Sequence, residues 1–105
     1  MKRIDEHFSV DGQIQPDQVA KLAAQGFTAI VCARPDNEDP GQPSFAEIER
    51  EARKHGMKAA HVPVATMPPT PEQIEQFRTA MSSFDGPVFG YCRSGARATA
   101  LYSAR

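Results

Sequence analysis

Six consecutive residues could do chemistry together: Cys92-Arg-Ser-Gly-Ala-Arg97, delivered by the short apolar run Val88-Phe-Gly-Tyr91. The run reads as a strand, and the residues from Ala96 onward form helix. A loop of the form Cys-x-x-x-x-Arg between the two can aim several backbone N–H groups at one point, where the helix adds its positive dipole end. An anion is stabilised at such a point, and so is a thiolate. A cysteine placed there ionises more easily than a free thiol and becomes a nucleophile. Arg97 carries a planar, permanently charged fork suited to a two-pronged grip on an oxyanion. Gly95 can take the left-handed backbone angles that a folded-back loop needs. Charge agrees: after Asp85 the only charged side chains are Arg93, Arg97 and Arg105, in a chain of net charge −1. A lone cysteine at a strand end is more often an inert core residue. Two arginines, a serine and a glycine in the next five positions favour the reactive alternative.

These residues need a scaffold, and the chain alternates strand and helix signals. Phe8-Ser-Val10 and Gly12-Gln-Ile14 read as a short strand or ribbon. Pro16 and Asp17 suit the first turn of a helix striped by Val19, Leu22 and Ala23, with Gly26 as its stop. Phe27–Cys32 is a β-branched and aromatic run of strand length. Ala33–Pro43, with three prolines, is a long loop, and long loops often carry function. Ser44 and Glu47 have the spacing of a capping box for a helix that runs to about His55, with Phe45, Ile48 and Ala52 inward. Met57–Val64 is a third strand. Thr70 and Gln73 form a second box, with Pro71 at the first helical position and a stripe of Ile74, Phe77, Met81 and Phe84. Strands separated by helices predict an α/β fold: a small, mostly parallel sheet of four or five strands flanked by helices. In such sheets ligands gather at the carboxyl ends of the strands. Cys92, the loop after Cys32 and the turn after Val64 all lie there.

The 105 residues correspond to a single domain. Its last helix, ending eight residues beyond Arg97 without glycine or proline, reads as cut short. The near-neutral charge gives no general attraction to nucleic acid or an anionic membrane, and no apolar run is long enough to span a bilayer. The N-terminus lacks the apolar core of a signal peptide, and two cysteines without one are expected to be free thiols in a reducing, cytoplasmic setting. His7, His55 and His61 are not spaced with either cysteine as metal ligands, and Gly90–Gly95 lacks the Gly-Lys-Ser/Thr ending of a nucleotide loop. No cofactor is expected.

The loop resembles that of two families. One is the protein tyrosine and dual-specificity phosphatases, with Cys-x5-Arg; the other is the rhodanese sulfurtransferases, with Cys-Arg-x-Gly-x-Arg. Cys92–Arg97 fits the second letter for letter and is one residue short of the first, since position 98 is Ala. The chain from Phe8 to Arg105 is similar to the phosphatase-like domain of beta-lactamase-hydrolase-like proteins. The likeness rests on Ser9-Val-x-Gly-Gln-Ile14, Arg34-Pro-Asp with Gln42-Pro43, His61-Val-Pro-Val64 and Tyr91–Arg97. It implies a protein-tyrosine/dual-specificity-phosphatase-like fold carrying a rhodanese-sized loop.

A phosphatase of this kind needs a general acid for the leaving oxygen. In the resembled phosphatases an aspartate supplies it from the loop after the preceding strand. Here that loop, Pro63–Thr70, holds no carboxylate; Glu72 is the nearest and is better explained as a first-turn helix acid, while Asp36, Glu38 and Asp39 on the other loop offer substitutes. Sulfur transfer needs only a thiolate and a persulfide-stabilising site, because sulfite leaves thiosulfate without acid help. Sulfur transfer through a Cys92 persulfide is therefore the first expectation. The donor is then thiosulfate or a low-molecular-weight persulfide and the acceptor a thiol, with a fused or operon-linked enzyme of sulfur metabolism as partner. Phosphoryl transfer through a Cys92 phosphocysteine is the alternative, and a non-catalytic oxyanion-binding module the third reading. In all of them Cys92 and Arg97 are central, with Arg93, Ser94, Gly95 and Ala96 around the anion.

Other residues have a plainer reading beside a functional one. Cys32 is either a resolving thiol or a buried apolar residue. Arg34 and Asp36 line the anion pocket's rim or pin the long loop. Ser94 bonds the sulfur or folds the loop. His61 reads as a hydrogen-bonded core histidine, and Glu49 with Arg53 as an ion pair on a solvated helix face.

Overall fold

A computed structural model describes all of residues 1–105. The chain runs β1 (Lys2–Arg3), β2 (Phe8–Asp11), a 3-10 turn (Pro16–Gln18), α1 (Val19–Ala24), β3 (Ala29–Cys32) and α2 (Phe45–Lys54). It continues through β4 (Lys58–His61), α3 (Pro71–Ser82), β5 (Val88–Tyr91) and α4 (Ala96–Ala104). The sheet order is β1-β2-β5-β3-β4, parallel throughout except for β1, which lies antiparallel on β2. The expected α/β fold with a mostly parallel sheet is thus the observed one.

Local chemistry explains the helix starts. Thr70 Oγ1 accepts from Gln73 N at 3.2 Å, while Gln73 Oε1 accepts from Thr70 N at 2.8 Å, a reciprocal capping box with Pro71 at the first helical position. Ser44 Oγ accepts from Glu47 N at 3.2 Å and opens α2. The outer face of α2 carries the expected Arg53–Glu49 pair at 3.3 Å. Gly26 and Gly56 end their helices with φ of 98° and 73°.

Helices cover both faces of the sheet, and the period-2 alternation of the strands sorts residues between them. On one face Phe8, Val31 and Val88 pack against Phe77 of α3 and Leu101 and Tyr102 of α4. The ring of Phe8 stacks on Tyr102 at 4.3 Å and meets Phe77 edge-on at 5.8 Å. Gly90 makes room for this ring, since a Cβ there would lie 2.5 Å from Phe8 Cζ. On the other face Ile30, Phe89 and Tyr91 pack against Val19, Leu22, Ile48 and Ala52 of α1 and α2. Burial on both sides is why β5, at the sheet centre, is apolar at every position.

Two departures from expectation lie at the edges. Gly12–Ile14 is not strand: after Asp11 the chain turns to run beside the Cys92 loop. The edge strand Lys2–Arg3 carries no apolar alternation, so its sequence gives no strand signal. No helix is long and apolar enough to cross a membrane.

Candidate active site

Cys92 sits directly after β5, and alternation sends its side chain to the α3/α4 face, beneath the loop that follows. Gly95, with φ of 98°, reverses the chain and starts α4. That reversal turns peptide nitrogens inward. Gly95 N–H donates to Cys92 Sγ at 3.0 Å, and the N–H groups of Ala98, Ser94 and Arg97 are directed at the same sulfur. Burial alone would raise the thiol pKa. These four amides outweigh it and bring Cys92 below the ordinary thiol value. Of the amides expected around the anion, Ser94, Gly95 and Arg97 contribute and Ala98 joins them. Ala96 N–H instead donates to Ser94 Oγ at 3.3 Å. Ser94 thereby folds the loop.

Arg97 lies over this cradle. Its Nη1 donates to Glu38 Oε2 and to the Val64 carbonyl, both at 2.7 Å, and its Nη2 to Glu38 Oε1 at 2.8 Å. A guanidinium has five N–H donors; three are used at its far end. The Nε–H and one Nη2 hydrogen remain, and the side chain is near enough to Cys92 to feel its charge. The end-on grip of Glu38 and Val64 thus fixes the guanidinium plane and turns its side edge toward Cys92, where an oxyanion would sit.

The long loop after β3 supplies the counter-charges. Arg34 is 3 % exposed and donates to Glu38 Oε1 at 2.9 Å, to Asp39 Oδ2 at 2.6 Å and to Gln13 Oε1 at 3.0 Å. Asp39 also lies 3.4 Å from Arg93, whose side chain is 67 % exposed. Arg34, Glu38, Asp39, Arg93 and Arg97 form one alternating chain of charges from the long loop to the Cys92 loop. The hydrogen bonds of Arg97 and Arg34 hold the Glu38 carboxyl down to about 2, against the cost of its burial. Arg34 therefore pins the loop and does not line an open rim. Asp36 has a similar role: its Oδ1 accepts from Phe45 N at 2.8 Å at the start of α2. Neither residue touches the cradle's sulfur.

Close backbone approach holds the rest. Gln13 N–H donates to Arg93 O at 3.4 Å, and a Cβ on Gly12 would stand 2.8 Å from that oxygen. Gly12 is what lets this segment buttress the loop. His61 Nε2 is 2.8 Å from Arg34 O, and its ring stacks on Phe45 at 4.7 Å, so it is a core histidine. An open cleft of about 610 Å³ lies against Ser94, Gly95 and Ala96, walled by Val10, Asp11 and Lys2.

Cys32 does not serve Cys92. It pairs in register with Tyr91 and faces the α1/α2 side, the opposite face from Cys92. Burial pushes its thiol up to about 11, and the thiol donates to Arg34 O at 3.3 Å. Beside it the Tyr91 hydroxyl is buried without a nitrogen or oxygen partner. The resolving-thiol alternative fails because adjacent residues on a strand point to opposite faces.

Sequence reasoning did not place the Val64 carbonyl, the Ala98 amide or the Gln13 amide oxygen in the site. Backbone groups carry no residue-type signal, and Gln13 reads as a surface polar residue. Glu38 was legible as a carboxylate near the site, but not as the clamp on Arg97.

The whole chain, residues 1–105, matches the family described as beta-lactamase hydrolase-like protein, phosphatase-like domain. The chain belongs to this family. Beta-lactamase hydrolase-like proteins of Agrobacterium fabrum and Xylella fastidiosa are 39 % and 34 % identical to it over 100 residues. Each match covers 95 % of this chain and 23 % of the relative, so the chain spans about a quarter of the length of the curated relatives it matches. A crystal structure from Neisseria meningitidis, described as a candidate phosphatase, is similar with a TM-score of 0.86 and 31 % identity, over 96 % of this chain and 72 % of that one. The active form of Tk-PTP shares the fold, with a TM-score of 0.65 at 22 % identity over 90 % of this chain and 62 % of that one. The phosphatase-like fold expected from the resemblance is therefore the fold of this family member.

Proposed function

We propose that this domain is a cysteine-dependent phosphatase that transfers phosphoryl groups from its substrate to water through a Cys92 phosphocysteine. The observation that carries the reading is the sulfur of Cys92 at the focus of four backbone N–H groups, with the guanidinium of Arg97 beside it. Phosphatase-like family membership and the similar structure from Neisseria meningitidis, itself described as a candidate phosphatase, support phosphoryl transfer over the sulfur transfer expected from loop length and the missing acid.

The Cys92 thiolate donates a sulfur lone pair to phosphorus, and the bond from phosphorus to the leaving oxygen breaks with its electron pair on that oxygen. Arg97 and the loop amides take up the charge on the equatorial oxygens. Water then attacks the phosphocysteine, the S–P bond returns its electrons to sulfur, and the water proton passes to solvent. Solvent does not reach Cys92 in this arrangement, so the groups above it must part as substrate enters.

Two observations favour a second reading. The step from Cys92 to Arg97 is a residue shorter than the phosphatase signature, and the turn Pro63–Thr70 holds no carboxylate. Sulfur transfer from thiosulfate needs no acid, because sulfite leaves without a proton. Cys92 would attack the outer sulfur of thiosulfate, the S–S bond would break, sulfite would leave with the electron pair, and a thiol would accept the sulfur. A cytoplasmic thiol pool would serve that reading.

Two assays on wild type and Cys92→Ser separate the readings. Aryl phosphate hydrolysis lost in Cys92→Ser is the result the phosphatase reading expects. The gain of one sulfur mass on Cys92 with thiosulfate, without any phosphate release, transfers the assignment to sulfur transfer. An unreactive thiol that still binds oxyanions leaves the non-catalytic module.

A further inference from the structure

We propose that this site acts on phosphoryl groups whose leaving group departs without a proton, namely acyl phosphates and aryl phosphates of acidic phenols. The proposal rests on the phosphatase reading above and narrows its substrate class.

It follows from where the candidate proton donors around the cradle are committed. Glu38 gives both carboxylate oxygens to guanidinium groups, of Arg97 on one side and Arg34 on the other. Asp39 is held between Arg34 and Arg93. Asp36 accepts from the Phe45 amide. Asp11, on the cleft beside Ser94, accepts from Gly12 N–H at 2.8 Å and lies 3.2 Å from the terminal amine. Each of these carboxylates already accepts from a guanidinium, an amide or an amine within the loop framework, so none is placed to hand a proton to a leaving oxygen. His61 spends its Nε2 on the Arg34 carbonyl beneath a stacked Phe45. Tyr102 donates to Asp5 at 2.6 Å, and Tyr91 faces the other side of the sheet. Lys2 flanks the cleft, but an ammonium is a poor general acid at neutral pH.

The turn that adjoins Arg97 through Val64 holds no carboxylate. The Val64 carbonyl that holds Arg97 leads straight into Ala65-Thr-Met-Pro-Pro69, whose Met67 is 52 % exposed. Phosphoryl transfer proceeds through a loose transition state with negative charge gathering on the leaving oxygen. Without a donor to neutralise it, the rate depends on how well the leaving group bears that charge. Glu38 is here a positioning residue, acting through Arg97.

The test compares kcat/KM over a panel running from acetyl phosphate, with a carboxylate leaving group, through aryl phosphates to unsubstituted phenyl phosphate. Wild type, Cys92→Ser, Glu38→Gln and Asp39→Asn are measured in parallel. The expected result is Cys92-dependent turnover that falls by at least about a hundredfold from the acidic to the phenolic leaving group, the acceleration a general acid would otherwise supply. Glu38→Gln and Asp39→Asn should lower kcat/KM by the same factor for every substrate. Cys92-dependent turnover of similar rate across the panel overturns the proposal and leaves the phosphatase reading standing. So does a Glu38→Gln or Asp39→Asn loss confined to the phenolic substrates, which would make that residue the acid. Absence of Cys92-dependent phosphate release from every member removes both.

Discussion

Replacing Glu38 by glutamine removes one charge and leaves an acceptor of nearly the same shape, so its effect on stability isolates the Arg34–Glu38–Arg97 clamp. The folded protein holds the Glu38 carboxyl at about 2, below its ordinary 4.5. That gap of about 2.5 units corresponds to about 3 kcal/mol at 1.36 kcal/mol per unit. The side chain is 25 % exposed, and solvent screening reduces the expected contribution to about 1–2 kcal/mol. Because the folded pKa is depressed, the contribution is fully present above pH ~4.5 and lost as pH falls toward ~2. Thermal unfolding of wild type and Glu38→Gln should therefore differ by about 5–15 °C at pH 7, and the difference should shrink through the acid window. Equal melting temperatures at pH 7, or a gap that persists unchanged at pH 2, would refute the clamp. Comparing the two proteins at each pH cancels the other carboxylates.

Other residues give independent outcomes. Iodoacetamide at neutral pH should modify Cys92 ahead of Cys32, read by mass spectrometry of a digest, because only Cys92 has its thiol pKa lowered and only Cys92 lies beneath groups that part for substrate; the reverse order contradicts that pairing of a lowered pKa with an opening cradle. Arg97→Lys loses the planar fork and should lower kcat/KM for aryl phosphates by roughly 10²–10³-fold, the scale of removing one oriented oxyanion donor. Gly90→Ala drives a methyl to within 2.5 Å of the Phe8 ring and should cost about 1–3 kcal/mol in denaturant unfolding.

The residues that announce themselves in the sequence are those whose type is unusual for its place. Cys92, Gly95 and Arg97 crowd into one turn, Thr70 and Gln73 stand at capping distance, and the apolar strands at the sheet centre are buried on both sides. Each was legible because local chemistry and tertiary position agree. Where long-range contact decides, the sequence is silent. The spacing of Arg34 and Glu38 fits a simple i,i+4 pair, and only the approach of the loop to α4 makes Glu38 a bridge to Arg97. The face on which Cys32 lies depends on strand phase: Cys32 and Cys92 both close a strand, but Cys32 lines up with Tyr91, one residue earlier, and so points the other way. Lys2–Arg3 becomes a strand only because β2 offers it an edge.

The central claim is that Cys92 is a thiolate nucleophile that accepts a phosphoryl group. Rapid acid quench during turnover of an aryl phosphate, followed by intact and peptide mass spectrometry, tests it directly. The account predicts one added phosphoryl group, located on Cys92 and absent from Cys92→Ser. Phosphate release with an unmodified Cys92, or a phosphoryl group found on another residue, contradicts it.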